Sequence, residues 1–169
     1  VSRNLSVLRQ FFKFLQSENV RLDNPALNVD GPKVSRTLPK VISEDDVEAL
    51  LKAAHKLQTA EGIRLTCLLE IAYASGLRVT ELVSLPTDAL NLTSETLLIS
   101  GKGGKERLVP LTFSAMNAIV AYERVRIDFL KGNNTSKFLF PSRSKQGYLT
   151  RRRLGQLLKE LAIQAGLDP

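Results

Sequence analysis

One cysteine, one histidine, one methionine and no tryptophan leave this 169-residue sequence short of several kinds of chemistry. Cys67 alone cannot close an intramolecular disulfide, and one histidine beside one cysteine excludes a zinc site of the usual four-ligand kind. No apolar run approaches the roughly 18 residues that a transmembrane helix requires, so no membrane insertion is expected. The sequence opens without a secretory signal, and with a single cysteine the expected setting is reducing and cytoplasmic. Hydrophobic residues at 43% and charged residues at 24% belong to a chain able to bury a core, which excludes disordered and collagen-like classes.

What the sequence does have is positive charge, unevenly placed. Lys plus Arg number 24 against 17 Asp plus Glu, a formal net charge of +7. The excess lies in residues 1–40 and 101–169, around an acidic middle. Two basic ends could clamp a polyanion, since neutralised phosphates release counterions and give sequence-independent affinity. Solvated surface charge is the competing reading.

Helical spacing of Leu5, Leu8, Phe11, Phe12 and Leu15 predicts an amphipathic helix at the start, the tail of a helical unit over residues 1–30. Residues 31–40, with one Gly, two Pro and three bases, read as a linker. A second unit over 41–169 opens at Ser43, where Ser43-Glu44-Asp45-Asp46 is a capping box with Asp in the usual Glu or Gln place. Ile63 to Tyr73 is apolar on nearly every face and predicts a central helix, ended by Gly76. Three β-prone runs follow, Ala89 to Leu92, Thr96 to Ser100 and Glu106 to Leu111, and predict a small antiparallel sheet whose last pair is a hairpin. Helical spacing returns over Ser114 to Leu130 and over Arg151 to Ala165, the latter capped by Thr150. The fold class is therefore α+β and mostly helical, with a three-stranded antiparallel sheet.

Two places invite chemistry. The hairpin tip Gly101-Lys102-Gly103-Gly104-Lys105 lacks the spacing of a phosphate-cradling P-loop, and a strand rather than a helix follows it, which excludes that ATP-binding motif. Its glycines still let backbone approach a ligand while two lysines reach for a phosphate, unless the tip is only a solvated turn. Arg78 sits at a helix break between apolar residues, where a guanidinium is costly unless paired. Glu81, three residues on, lies on the same helical face and can hold it. Such a pair is either a structural salt bridge or part of a site. Arg151, Arg152 and Arg153 open the last helix against its dipole, a cost best offset by a bound anion, with solubility as the lesser reading. His55 has no partner in the sequence that would make it a ligand.

The stretch Tyr73-Ala74-Ser75-Gly76-Leu77-Arg78-Val79-Thr80-Glu81-Leu82 resembles the first arginine motif of the tyrosine recombinases, the phage integrase family, in its Xer-type form. Gly101 to Leu111 resembles that family's β-hairpin lysine motif at the expected distance. Leu5 to Leu15, Asp23-Asn24-Pro25 and Leu38-Pro39 resemble the end of the family's core-binding domain and its connection. The resemblance thus covers nearly the whole chain.

It implies a site-specific recombinase that cuts and rejoins duplex DNA through a 3′-phosphotyrosyl link, in chromosome dimer resolution. The alternatives are a phage or mobile-element integrase and a non-catalytic DNA-binding truncation. In the family's terms Arg78 stabilises the transition-state phosphate, Lys102 is the general acid and Glu81 supports Arg78. Lys105, Arg107, Arg151, Arg152, Arg153 and the linker residues Lys33, Arg36 and Lys40 contact DNA. No metal, nucleotide or other cofactor is called for, and the partners are the duplex recombination site and a homo- or hetero-tetramer of recombinases. The family's second arginine motif, its later His or Trp and its nucleophilic tyrosine have no counterpart here, and Tyr73, Tyr122 and Tyr148 lie outside any nucleophile context. These 169 residues alone are therefore expected to be inactive.

Overall fold

The computed structural model describes residues 2–31, 42–100, 104, 106–130 and 135–168. The chain divides into two compact units, Val1–Val41 and Ile42–Pro169. In the first, helix α1 (Ser2–Ser17) is followed by turns that fold back on it. Arg9 holds them there: its Nε donates to the Ala26 carbonyl at 3.0 Å and its Nη2 to the Val29 carbonyl at 2.7 Å. The helix forms as its spacing predicts, yet Val7, Leu8, Phe11 and Phe14 stay exposed, and among the described residues of this unit the buried hydrophobic one is Ala26.

The second unit begins with α2 (Glu44–Lys56), started by the capping box its sequence announces: Ser43 Oγ accepts from the Asp46 N–H at 3.1 Å, and Asp46 accepts from the Ser43 N–H at 3.1 Å. Helix α3 (Ala60–Ser75) starts earlier than its apolar run suggests, because Thr59 caps it and accepts from Gly62 N–H. A Cβ at Gly62 would overlap Leu57, so only glycine lets α2's exit pass this close. Leu65, Cys67, Leu68 and Ile71 are buried, and α3 packs between α2 and α5 (Phe113–Val125) as the central element. Each such leucine or isoleucine contributes about 1.5–3 kcal/mol by leaving water. Burial pushes the Cys67 thiol well above its usual range, in keeping with a small core residue.

Gly76 ends α3 in the left-handed region at φ 58°, and the chain turns directly into α4 (Val79–Val83). The sheet follows in the order β1 (Leu90–Asn91), β2 (Thr96–Ser100), β3 (Glu106–Pro110), all antiparallel. Its register pairs Leu97 with Val109, Leu98 with Leu108 and Ile99 with Arg107. Leu97 and Ile99 face the core.

The helix expected over Ser114 to Leu130 is α-helical only to Val125, capped by Thr112, and tightens to a 3₁₀ turn over Arg126–Phe129. There the Arg126 guanidinium donates to the carbonyls of Ser136, Phe138 and Leu139, drawing in a segment with no sequence periodicity. That segment buries Leu139 and Phe140 and laces itself behind α4: Leu139 N–H donates to the Leu85 carbonyl at 2.8 Å and Thr87 N–H to the Lys137 carbonyl at 2.9 Å. Helix α6 (Arg151–Gln164), capped by Thr150, packs against α2 and α4 through a face that includes Leu154, Leu157 and Leu161. The second unit is thus mostly helical with one small antiparallel sheet, the class its sequence predicts.

Candidate functional site

Arg78 is the residue before α4, in extended conformation, and its position there sends the side chain outward. Its apolar neighbours predict a desolvated guanidinium. Instead Leu77 turns into the core while the Arg78 side chain is 73% exposed. The pairing with Glu81 does form. Glu81 Oε1 accepts from Arg78 Nη1 at 3.0 Å, and Oε2 accepts from the Arg78 backbone N–H at 3.0 Å, so one carboxylate fixes both the main chain and the side chain. The backbone N–H foremost, then the guanidinium, hold the Glu81 carboxyl below the usual glutamate range. The Glu81 side chain as a whole is 15% exposed.

A second arginine reaches the same group. Arg107 Nη2 donates to Glu81 Oε2 at 3.4 Å from strand β3, 26 residues away in sequence. Nothing in local spacing announces this link, but strand alternation carries a trace of it: Arg107 shares its side of the strand with Val109, which packs on the core. The site therefore has two exposed guanidiniums, Arg107 at 47%, planted on one nearly buried carboxylate.

The expected residues Lys102, Lys105, Lys33, Arg36 and Lys40 lie outside the described residues. Arg151 and Arg152 are exposed in the first turn of α6, where Thr150 accepts from Arg153 N–H. Arg153 departs from its neighbours: its guanidinium lies 3.6 Å from Glu61 on α3 and 3.6 Å from Glu160 on α6. It serves the protein's own packing as well as any ligand. His55 is exposed as its sequence suggests but has a partner after all, the buried Glu70 carboxylate 3.3 Å from its Nε2.

The three tyrosines occupy separate surroundings. Tyr122 is fully buried, donates to the Leu139 carbonyl at 3.1 Å and has its phenol pushed up by burial. The Tyr148 ring lies 4.7 Å from that of Phe138, tilted by 60°, and Tyr73 is exposed on α3. Among the described residues no three His, Cys, Asp or Glu side chains gather as a metal site would need, and no helix is long and apolar enough to cross a membrane.

Comparison with known proteins gives these residues their context. The family model described as "Phage integrase family" matches residues 40–169. Tyrosine recombinase XerD of Caulobacter vibrioides is 49% identical over 168 residues, covering 99% of this chain and 55% of that protein. Its counterpart in Bradyrhizobium diazoefficiens is 43% identical, covering 99% of this chain and 57% of its own length. The chain thus spans little more than half the length of these curated relatives. Among solved structures, the XerH site-specific recombinase bound to its difH substrate, in a pre-cleavage complex, is 25% identical with a TM-score of 0.64, covering 79% of this chain and 38% of that one. With the family model matching most of its length and XerD proteins aligned from end to end, the chain belongs to the phage integrase family.

Proposed function

We propose that these residues form part of a Xer-type site-specific recombinase, acting on duplex DNA in the cytoplasm and resolving chromosome dimers. The observation that carries the reading is the exposed Arg78 fork held by Glu81, in a basic chain whose XerD relatives match it throughout. In the reaction, a tyrosine oxygen bonds to the scissile phosphorus while the bond from phosphorus to the 5′-oxygen breaks. The phenol gives up its proton and the departing 5′-oxygen gains one. Negative charge grows on the non-bridging oxygens in the transition state, and a fixed guanidinium stabilises that charge more than it stabilises the ground state. Arg78 takes this part, with Glu81 holding its geometry. Lys102 supplies the proton to the leaving oxygen.

Arg107, Arg151, Arg152, Lys105 and the linker bases Lys33, Arg36 and Lys40 bind the DNA backbone, while Arg153, expected among them, is held by Glu61 and Glu160. In this reading the nucleophile is a tyrosine of the full-length protein outside these 169 residues, since Tyr73, Tyr122 and Tyr148 all lie outside the family's tyrosine motif and Tyr122 is buried. Four such proteins on two duplexes complete the exchange. The test is covalent trapping. Full-length protein incubated with nicked duplexes carrying candidate chromosomal sites should yield a protein–DNA adduct that survives denaturation. Salt-sensitive duplex binding with no adduct at any site would overturn the recombinase reading.

A further inference from the structure

Resting on the recombinase reading, we propose that Arg107 is a second ligand of the scissile phosphate, joined to Arg78 through Glu81 so that the two arginines grip one phosphodiester. Three observations carry it. Glu81 accepts from both arginines at once, and its low exposure makes it a fixed base from which two open forks project. An arginine has five N–H donors, and the described contacts use one side-chain donor on each, leaving both forks able to meet phosphate oxygens.

The charge is incomplete as it stands. Two guanidiniums on one carboxylate carry a net +1, which favours an anion beside them. The strand pattern also runs against economy. Residue 107 shares its side of β3 with core-packed Val109, where an apolar side chain would cost least, while Leu108 turns outward and is 67% exposed. An arginine on the inner side and a leucine on the outer side make sense if position 107 must reach Glu81.

Arg107 then differs from a residue that merely holds a flanking backbone phosphate. Its contribution grows with the charge of the reacting group, and it should fail when that charge is removed. Lysine cannot replace it, because an ammonium lacks the planar fork that bonds a carboxylate and a phosphate together.

The experiment uses full-length protein in single-turnover cleavage of nicked duplexes at saturating DNA. Each duplex carries a normal phosphodiester, a neutral methylphosphonate at the scissile position, or a methylphosphonate one position away. On the normal duplex, Arg107→Ala should slow cleavage about 100-fold, with Kd changed by less than about threefold. That defect should shrink about tenfold or more when the scissile phosphate is neutral and persist when the neighbour is. Arg107→Lys should recover little. Because one variant is compared on three substrates, a loss of folded protein cancels. Cleavage by Arg107→Ala equal to wild type, or relief only from the neighbouring substitution, would overturn the inference and leave the recombinase reading intact. A wild-type protein that forms no adduct would bring both down together.

Discussion

Glu61 and Glu81 each sit between two arginines, and the two clusters teach different things. Glu61, on α3, pairs with Arg64 three residues on and with Arg153 of α6. Glu81, on α4, pairs with Arg78 three residues back and with Arg107 of β3. Each glutamate has one arginine three residues away and one from a distant element, yet Arg64 is 5% exposed, lies 3.9 Å over the Phe129 ring and directs Nη1 toward the Pro141 carbonyl at 3.5 Å. Burial lowers its pKa and Glu61 opposes that, so its charge depends on the neighbouring carboxylate, while its Nε is buried without a hydrogen-bond partner among the described residues. Arg78 shares its carboxylate and little else. A guanidinium buried inside the protein is architecture, whereas one left open to solvent has capacity to spare for a ligand.

The two clusters should therefore fail in opposite ways. Arg78→Ala should lower adduct formation on the order of 1,000-fold while leaving the melting temperature nearly unchanged, because an exposed side chain contributes little to stability. A large fall in melting temperature, read by circular dichroism, would move Arg78 to the architectural class. Arg64→Ala should do the reverse, costing about 3 kcal/mol and about 9 °C in melting temperature, with cleavage per folded molecule kept. Loss of cleavage in a variant that still melts normally would break the distinction.

The first turn of α6 divides the same way within three residues. Replacing Arg151 and Arg152 together by Ala should flatten the dependence of log affinity on log salt by about 2 in anisotropy titrations. Arg153→Ala, already engaged by Glu61 and Glu160, should change that slope by well under 1 and lower stability instead. Equal slopes would return Arg153 to the DNA-facing set.

The smallest effect belongs to acid titration. In the folded protein the Glu81 carboxyl is held below its ordinary value, so the unfolded chain takes up that proton first as pH falls. The stability it adds is full above the ordinary glutamate range and is lost as pH drops through it toward the folded value. Glu81→Gln should make the urea midpoint less steep in pH over the acid limb. An unchanged limb would mean that the carboxylate is no better held folded than unfolded.

The sequence made local contacts legible. The Ser43 and Thr150 caps, the Gly76 stop and the Arg78–Glu81 pair each lie within four residues and follow from helix geometry alone. Longer links were hidden. The run from Ile63 to Tyr73 reads as apolar all round, yet Arg64 and Glu70 are buried in it, because Glu70 meets His55 of α2 and Arg64, besides Glu61 three residues back, meets Phe129 and Pro141 from far along the chain. The Glu81–Arg107 contact crosses from helix to strand, and only the inward register of residue 107 hints at it. Residues 135–149 show neither period, since Leu139 and Phe140 are buried by hydrogen bonds made elsewhere. Arg153 looked like its two neighbours, although Glu160, seven residues on, shares its face.

The bond from Leu139 to Leu85 has a further meaning for Arg78. With the turn at Gly76 on one side and this knot on the other, the short stretch carrying Arg78 and Glu81 is tied at both ends and has little slack. An arginine mounted that way surrenders its wobble when the protein folds, so less disorder remains to be lost when a phosphate arrives. Part of the precision at the arginine is thus stored some sixty residues downstream.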